Sequence, residues 1–499
     1  MEYLIGIDIG TSSTKAVIFN EYGKMLSLAS KGYMYDIPKP GYAEQDPDIW
    51  WEASAETIAE AIRKAGIRKE EISGIGLSGQ MHGMVPLDKN GSPVRKAILH
   101  CDVRATDTTE ELAARIGQQT FYNITYNPLF SGMQLVSLEW MRKNEPECFE
   151  KTRQVICPKD YVRYKLTGEI GTEATDASGT LAYDMQKQSW ASPLIERLGL
   201  PFTLFPQIKL PFDIAGTVTK EAAEKTGLKE GTPVVYGGGD QAMHSLGNGV
   251  LEKNILMATI GTSGQVIMLT NKLIKNQQMN THTFRHVNSN MWFGLGACLY
   301  AGAALNWFRR TFAEEDNYER LSALAETVAP CSEGLVFFPA MSGERTPYLD
   351  METRGAFLGM TIAHTKAHFV RAIMEGVAME MKQSIEIMKD LYGQPVKYIC
   401  AGGGANSSVW AQIQADIYGC EIHISAIPEQ ACLGAAITAG TGIGIFESIK
   451  EGFYQMSHNQ ERIIEPQKEN MDKYAEYYEG VFKNIYNCNV ELFHKMKQY

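Results

Sequence analysis

Leu4-Ile5-Gly6-Ile7-Asp8-Ile9-Gly10-Thr11-Ser12 is an apolar strand running into a turn of small residues, and a second apolar strand follows from Ala16 to Phe19. The layout returns half a chain later. Ile255-Leu256-Met257-Ala258-Thr259-Ile260-Gly261-Thr262-Ser263 is followed by Val266 to Leu269. Strand, Gly-Thr-Ser turn, strand is a β-hairpin whose tip offers backbone N–H groups and hydroxyls. Exposed amides at such a tip form a nest for anions, and phosphate oxygens suit it. Two copies point to two related domains gripping one polyphosphate. Only the first copy carries an acid, Asp8, so the copies differ in role.

At 499 residues the chain exceeds one compact core, and its length favours two or three domains. The net charge of −11 argues against nucleic-acid binding, which needs a basic face. It is compatible with ATP, because a few amides and one metal ion offset phosphate charge locally. Nine cysteines are dispersed without a Cys-x-x-Cys pair, which fits thiols in a reducing, cytoplasmic compartment. Glu2 and then the first strand follow Met1, so no basic-then-apolar leader is expected. Met291 to Phe308 is the longest uncharged stretch and is about the minimum length of a membrane helix. Its three glycines, Asn306 and the following Arg309-Arg310 make it a buried core segment, so no membrane partner is expected.

Asp46-Pro47 reads as N-cap and first helical position, with the helix running to about Lys64. Ile72 to Leu77 is an apolar strand ending in Ser78-Gly79-Gln80-Met81-His82-Gly83. Ile156 to Leu166 reads as a helix opened by Pro158. Pro233 to Tyr236 and Tyr398 to Ala401 are short strands that run into glycines, Gly237 to Gly239 and Gly402 to Gly404. Ala431 to Thr441 reads as a helix packed closely through small residues, and the tail from about Glu465 as a surface helix. Repeated strand–glycine–helix units mean an α/β sheet whose ligands collect beyond the strand ends. The domain boundary falls between Asp240 and Ile255.

Each candidate loop has two readings. Asp8 either satisfies turn amides or orients Mg²⁺, through water, beside the phosphates. Asp240 is either a helix N-cap or a general base for a substrate hydroxyl. His82, beside Met81, is either structural or hydrogen-bonded to a polyol hydroxyl. Gly402, Gly403, Gly404, Ala405 and Asn406 either let a nucleoside lie flat on backbone or form a tight turn. Thr11, Thr262 and Ser263 either cap their own turns or meet phosphate. No Walker loop is present, and the first strand does not lead into Gly-x-Gly-x-x-Gly.

The loops occur in one order, and in that order the chain resembles the FGGY family of sugar kinases from Tyr3 to about Gly442. The resemblance rests on Gly6 to Ser12, Glu44-Gln45-Asp46-Pro47, Gly79 to Gly83, Pro158-Lys159-Asp160-Tyr161 and Thr167-Gly168-Glu169. It continues through Asp176 to Thr180, Gly237 to Asp240, Gly261 to Gly264, Ser342 to Pro347, Glu375-Gly376-Val377, Gly402 to Ala405 and Leu433 to Ala436. Gln80-Met81-His82-Gly83 points to the xylulokinase branch. The resemblance implies an α/β fold of two actin-like (ribonuclease-H-like) domains with a cleft between them. It divides the chain into an N-terminal sugar-binding domain, 1–245, a C-terminal ATP-binding domain, 246–465, and a helical tail, 466–499. It makes Asp240 the catalytic base and Asp8 the acid beside Mg²⁺-ATP. Met81, His82, Asp240, Gln241 and Asp102 become sugar contacts. Gly10, Thr11, Ser12, Gly261, Thr262, Ser263 and Gly402 to Asn406 become nucleotide contacts. The implied reaction is phosphorylation of a terminal hydroxyl of a pentulose, first of all D-xylulose, by a cytoplasmic enzyme, and the family's habit implies a homodimer. Three positions depart from the branch's pattern. His100-Cys101-Asp102 stands where Trp-Asn-Asp is usual, Gln241 stands for Asn, and Ser137 stands for Lys. All three fall near the sugar in the family, so another ketose, a polyol or gluconate is the alternative acceptor, and a non-catalytic actin-like module that binds nucleotide is the rival reading against which the retained Asp8 and Asp240 argue.

Overall fold

The structure is a computed structural model that describes residues 2–457 and 461–496. The first hairpin pairs β1 (Tyr3–Ile9) with β2 (Ser13–Asn20), and β3 (Met25–Gly32) lies antiparallel beyond β2. On the other side of β1, β4 (Ile72–Gly79) and then β5 (Pro233–Val235) run parallel to it. The second hairpin repeats this plan with β6 (Ile255–Ile260), β7 (Gly264–Thr270) and β8 (Trp292–Cys298) antiparallel in turn. Parallel strands β9 (Lys397–Ala401) and β10 (Ile422–Ser425) complete it. The core orders are thus β3-β2-β1-β4-β5 and β8-β7-β6-β9-β10. Two copies of one mixed sheet make the two-domain actin-like fold. Edge strands Ile214–Thr217, His282–Arg285 and Glu461–Ile464 extend the sheets.

Local signals set most helix starts. Helix α1 (Pro47–Ala65) opens with Pro47 at its first position, and the Asp46 carboxylate accepts the Asp48 amide at 3.0 Å. Helix α2 is Pro158–Thr167. The helix begins at Pro158 and not at Ile156, as expected, because proline favours the first helical position, and Ile156 instead ends a short strand, Gln154–Ile156. Helix α3 (Asp240–Gly247) follows the glycine run, and the long α4 (Lys366–Tyr392) crosses the second core. The uncharged Met291–Phe308 stretch becomes β8 and the start of a helix, Gly302–Phe312. Among the described residues, no helix is long and apolar enough to cross a membrane.

The tail differs from the single surface helix expected. It forms two helices, Lys468–Gly480 and Ile485–Met496, and buries Tyr474, Tyr478, Phe482 and Phe493 in the second core. Positions 497–499 of that expected tail, and positions 458–460 of the expected C-terminal domain, lie outside the described residues, as does Met1.

Helix α5 (Gln430–Gly442) belongs by sequence to the second half but packs on the first sheet. Small residues allow a very close approach, as its composition promised. A Cβ on Gly6 of β1 would fall 1.9 Å from the Cys432 carbonyl oxygen, and one on Gly76 of β4 would fall 1.9 Å from that of Ala435. The same helix meets α3, where a Cβ on Gly434 would fall 2.1 Å from the Met243 carbonyl oxygen. Backbone against backbone has no rotamer through which to yield. Gly76→Ala should therefore destabilise the protein by about 1–3 kcal/mol, the usual cost of overpacking, or prevent folding. Urea denaturation against Gly480→Ala, whose Cβ meets nothing within 4 Å, checks this. Equal midpoints would mean that the helix moves away freely.

Candidate active site

Three parallel strand ends carry the two acids. Asp8 of β1 lies opposite Ser78 of β4, and Ser78 lies opposite Gly238 of a two-residue strand, Gly238–Gly239. Asp240 follows at once. These are the C-terminal strand edges, where open α/β sheets bind ligands. Asp8 is half-buried, and its Oδ1 accepts the Ser78 hydroxyl at 2.7 Å rather than turn amides. Lys15, its neighbour across the hairpin, gives its ammonium to Glu429 at 2.7 Å instead. Burial raises the Asp8 carboxyl, with the Ser78 bond and the Lys15 charge opposing. Asp240 is half-buried too, and Gly239 holds the N-cap position, so its carboxyl is not spent on capping. Burial, and then the charge of Asp8, push Asp240 up to about 7, while bonds from Gln241 pull the other way. The glycines before it make room for protein, not for ligand: a Cβ on Gly237 would strike the Leu77 carbonyl, and one on Gly239 the Met81 side chain.

Both hairpin tips turn their carbonyls inward. Gly10 O accepts Tyr33 OH at 2.7 Å, Thr11 O accepts Gln45 Nε2 at 3.2 Å, and Ser12 O accepts the Tyr33 amide at 2.9 Å. The Thr11 hydroxyl donates to Gln80 Oε1 at 3.2 Å. In the second tip, Gly261 O accepts the Gly302 amide at 2.8 Å, and Thr262 O accepts that of Ala303 at 3.0 Å. With carbonyls tied back, the tips present amides and exposed hydroxyl residues, Ser12 and Thr262. The second tip is one residue shorter, closing Gly261 N to Ser263 O where the first closes Gly10 N to Ser13 O.

Beside the second tip lies a cavity of about 310 Å³, lined by Gly261, Thr262, Gly302, Gly403, Gly404 and Trp410 among others. Gly402 takes φ +80, and a Cβ there would meet the Ile260 carbonyl at 2.5 Å, so the glycine run lies against the end of β6. Asn406 lines an adjoining cavity of about 440 Å³. Ala405, expected at the nucleotide, is instead buried, with its carbonyl taken by Arg462 at 2.6 Å.

His82 stands at φ +69, its ring 5.5 Å from that of Phe284. Its Nδ1–H donates to Gly179 O at 2.7 Å, and burial holds the ring neutral, down to about 3. That leaves Nε2 as an acceptor. Met81 is buried against Gly179 and Gly239 and acts as packing beneath the site. Asp102 differs most from its expected role as a sugar contact. It is 1% exposed, accepts the Ala43 amide, and holds Arg104 through both oxygens at 2.9 Å. Nothing of it remains for a substrate. Of the three departures, His100 and Gln241 stand half-buried near the acids and His82, while Ser137 is buried. Sequence reasoning missed Gln45, Tyr33 and Gln80, whose service to the first tip depends on contacts between distant segments. It also missed Phe284 and Arg345.

Residues 3–247 match the FGGY family of carbohydrate kinases, N-terminal domain, and residues 256–443 match the C-terminal domain of that family. The xylulose kinase of Bacillus subtilis (strain 168) is 35% identical over 499 residues, which covers 100% of this chain and 99% of that protein. The ligand-bound xylulose kinase from Lactobacillus acidophilus has the same fold, with a TM-score of 0.93 at 24% identity over 99% of this chain and 100% of that one. The gluconate kinase from Lactobacillus acidophilus gives a TM-score of 0.92 at 25% identity over 99% of each chain.

The coupling of the two acids is directly testable. Asp8→Asn removes the charge that acts second on Asp240, so the Asp240 carboxyl should titrate below about 7. A ¹³C NMR titration of aspartate-labelled protein, with Asp240→Asn to assign the signal, reads the midpoint. An unmoved midpoint would separate the two acids.

Proposed function

The chain belongs to the FGGY family of carbohydrate kinases, and we propose that it transfers the γ-phosphoryl group of ATP to a terminal primary hydroxyl of a pentulose, D-xylulose before others. The family and the xylulose kinase relatives support the reaction class. One observation carries the chemistry: Asp240, half-buried and pushed up to about 7 by burial and by the Asp8 charge, stands beside Asp8 at the strand ends. A base poised near the working pH accepts a proton most effectively.

In this reading Asp240 takes the hydroxyl proton as the sugar oxygen attacks the γ-phosphorus in line and the bond to the β-phosphate oxygen breaks. ADP then leaves with the freed charge. The amides of Thr11 and Ser12 and of Thr262 and Ser263 hold phosphate oxygens, with Gly10 and Gly261 closing the turns that present them, since positioning and charge stabilisation supply most of the acceleration in phosphoryl transfer. The nucleoside occupies the cavity beside Gly402 to Gly404, with Asn406 at its rim. His82 Nε2 accepts a hydrogen bond from a sugar hydroxyl, and Gln241 steadies Asp240. Asp8 fits Mg²⁺, because Lys15 gives its direct ion pair to Glu429 and neither of the two adjacent acids has an ion pair among the described residues. The ion, when bound, neutralises phosphate charge. Closure of domains 1–245 and 246–465, with the tail 466–499 on the second, would exclude water as a rival acceptor. A homodimer and a cytoplasmic setting complete the proposal, and nine unpaired thiols suit a reducing compartment.

ADP release from Mg²⁺-ATP across ketoses, polyols and aldonates tests the acceptor, with D-xylulose expected to turn over fastest. A faster rate with another compound would move the acceptor and keep the chemistry. Asp240→Asn should lower kcat by about 10²–10⁴-fold with nucleotide binding intact. In the native enzyme kcat/KM should fall as pH drops below about 7, because the protonated carboxyl accepts nothing. His82→Ala should raise the sugar KM and spare the ATP KM. Equal rises would make the histidine structural.

A further inference from the structure

Ser342 to Pro347 belongs by sequence to the second half, yet Arg345 reaches the first. Its guanidinium lies over the Phe130 ring, 3.9 Å from the centroid. Its charge acts on His82 and His100 of the first half and on His282 of the second sheet's edge. The Phe130 ring beneath it lies beside Gly132, whose Cβ would fall 1.9 Å from the His100 carbonyl oxygen, so the guanidinium stands on the His100 side of the first half.

The neighbouring Glu344 does not neutralise the guanidinium through a bond. Glu344 Oε1 accepts the amides of Leu299 and Arg345, each at 2.7 Å. Its Oε2 is buried and faces Glu380, whose two oxygens have no donor among the described residues. Two buried carboxyls in contact hold one proton between them. Arg345 makes no side-chain hydrogen bond and no ion pair among the described residues. His100 Nδ1, close by, is buried and likewise without a partner. Burial keeps His82 and His100 neutral, at about 3 and about 4, so Arg345 is the cation of this corner. A half-buried guanidinium with idle donors has lost water and gained only a ring face, which favours a ligand that supplies acceptors. Its planar fork matches a pair of oxygens on one flat group.

We propose that Arg345, with His100 beside it, is the specificity residue for the acceptor, binding the oxygen pair at the end remote from the phosphorylated hydroxyl. In a ketose that pair is the carbonyl and its adjoining hydroxyl. In the corresponding sugar acid it is the carboxylate, which the fork binds more tightly. This deepens the reading above and rests on it for the identity of the acceptor cleft.

D-Xylonate is the probe, measured by calorimetry and as an inhibitor against D-xylulose. The native enzyme should bind it at least about tenfold more tightly than D-xylulose, and competitively, as a charge-assisted pair implies. Arg345→Gln should raise the D-xylulose KM about tenfold or more, hold the ATP KM within about twofold and abolish D-xylonate binding. Arg345→Lys, which keeps the charge without the fork, should retain weakened D-xylonate binding. Thermal unfolding of each variant identifies any that misfold, and Phe130→Leu, which removes only the ring platform, then serves as the milder probe and should weaken D-xylonate binding. An unchanged sugar KM and unchanged D-xylonate affinity in a folded Arg345→Gln enzyme would overturn the proposal. If no ketose is turned over by the native enzyme, the acceptor reading fails. D-xylonate binding that depends on Arg345 would still uphold the inference.

Discussion

The structure depends on the approach of α5 to the first sheet and to α3. Cys432 O rests where a Gly6 side chain would be, two residues before Asp8. Ala435 O rests likewise at Gly76, two residues before Ser78, and Gly434 meets α3 at Met243, three residues after Asp240. One helix backbone thus fixes the three elements that carry the acids. It also ties the halves together, because its chain arrives from the second sheet. Glu429, just before the helix, takes the Lys15 ammonium and leaves Asp8 without a direct ion pair. The packing that joins the halves therefore also sets the charge state of the site.

A buried ionic cluster supports the same corner from behind. Lys159 Nζ lies 2.8 Å from Asp160, 3.1 Å from Asp176 and 3.4 Å from Glu173, all without exposure, and Arg163 joins at Asp160. Cys157, Asp160 and Asp176 lie close enough to hold a metal, but the lysine ammonium already supplies the cation. Such a cluster is weak support for stability, since desolvation offsets most of the attraction. Its effect is positional. Glu173 accepts the Thr175 hydroxyl at 2.9 Å, and Thr175 Oγ1 accepts the Gly239 amide at 2.9 Å, so the residue before Asp240 hangs from the cluster.

Local order was legible in the sequence because local physics writes it. The hairpins were visible in apolar strands broken by Gly-Thr-Ser, α1 in Asp46-Pro47, and the tight α5 in its run of small residues. Asp8 and Asp240 were legible as candidates because both close an apolar strand. What escaped was whatever depends on which distant segments meet. Asp102 looked available until Arg104 and the Ala43 amide were seen to occupy it. Arg345 carried no local signal, since an arginine after a glutamate usually pairs nearby, whereas here Glu344 serves amides and Glu380. The tail looked solvated because Lys and Glu recur along it, and the buried tyrosines emerge only at helical spacing against the second core.

Two copies of one sheet need not share a task, and the strand neighbours explain why these do not. In the first sheet β4 is flanked by Gly238–Gly239, which delivers Asp240 beside Asp8. In the second, β9 ends in Gly402, and the glycine run folds against the end of β6. No acid stands at that end, since Thr259 occupies the place before Ile260, and a cavity opens there instead. The hairpin tips keep the same construction, with carbonyls tied inward, which is what the proposed grip on phosphate asks of both. The loops after the parallel strands diverge, with Asp240 set beside Asp8 on one side and a cavity lined by Gly403 and Gly404 on the other.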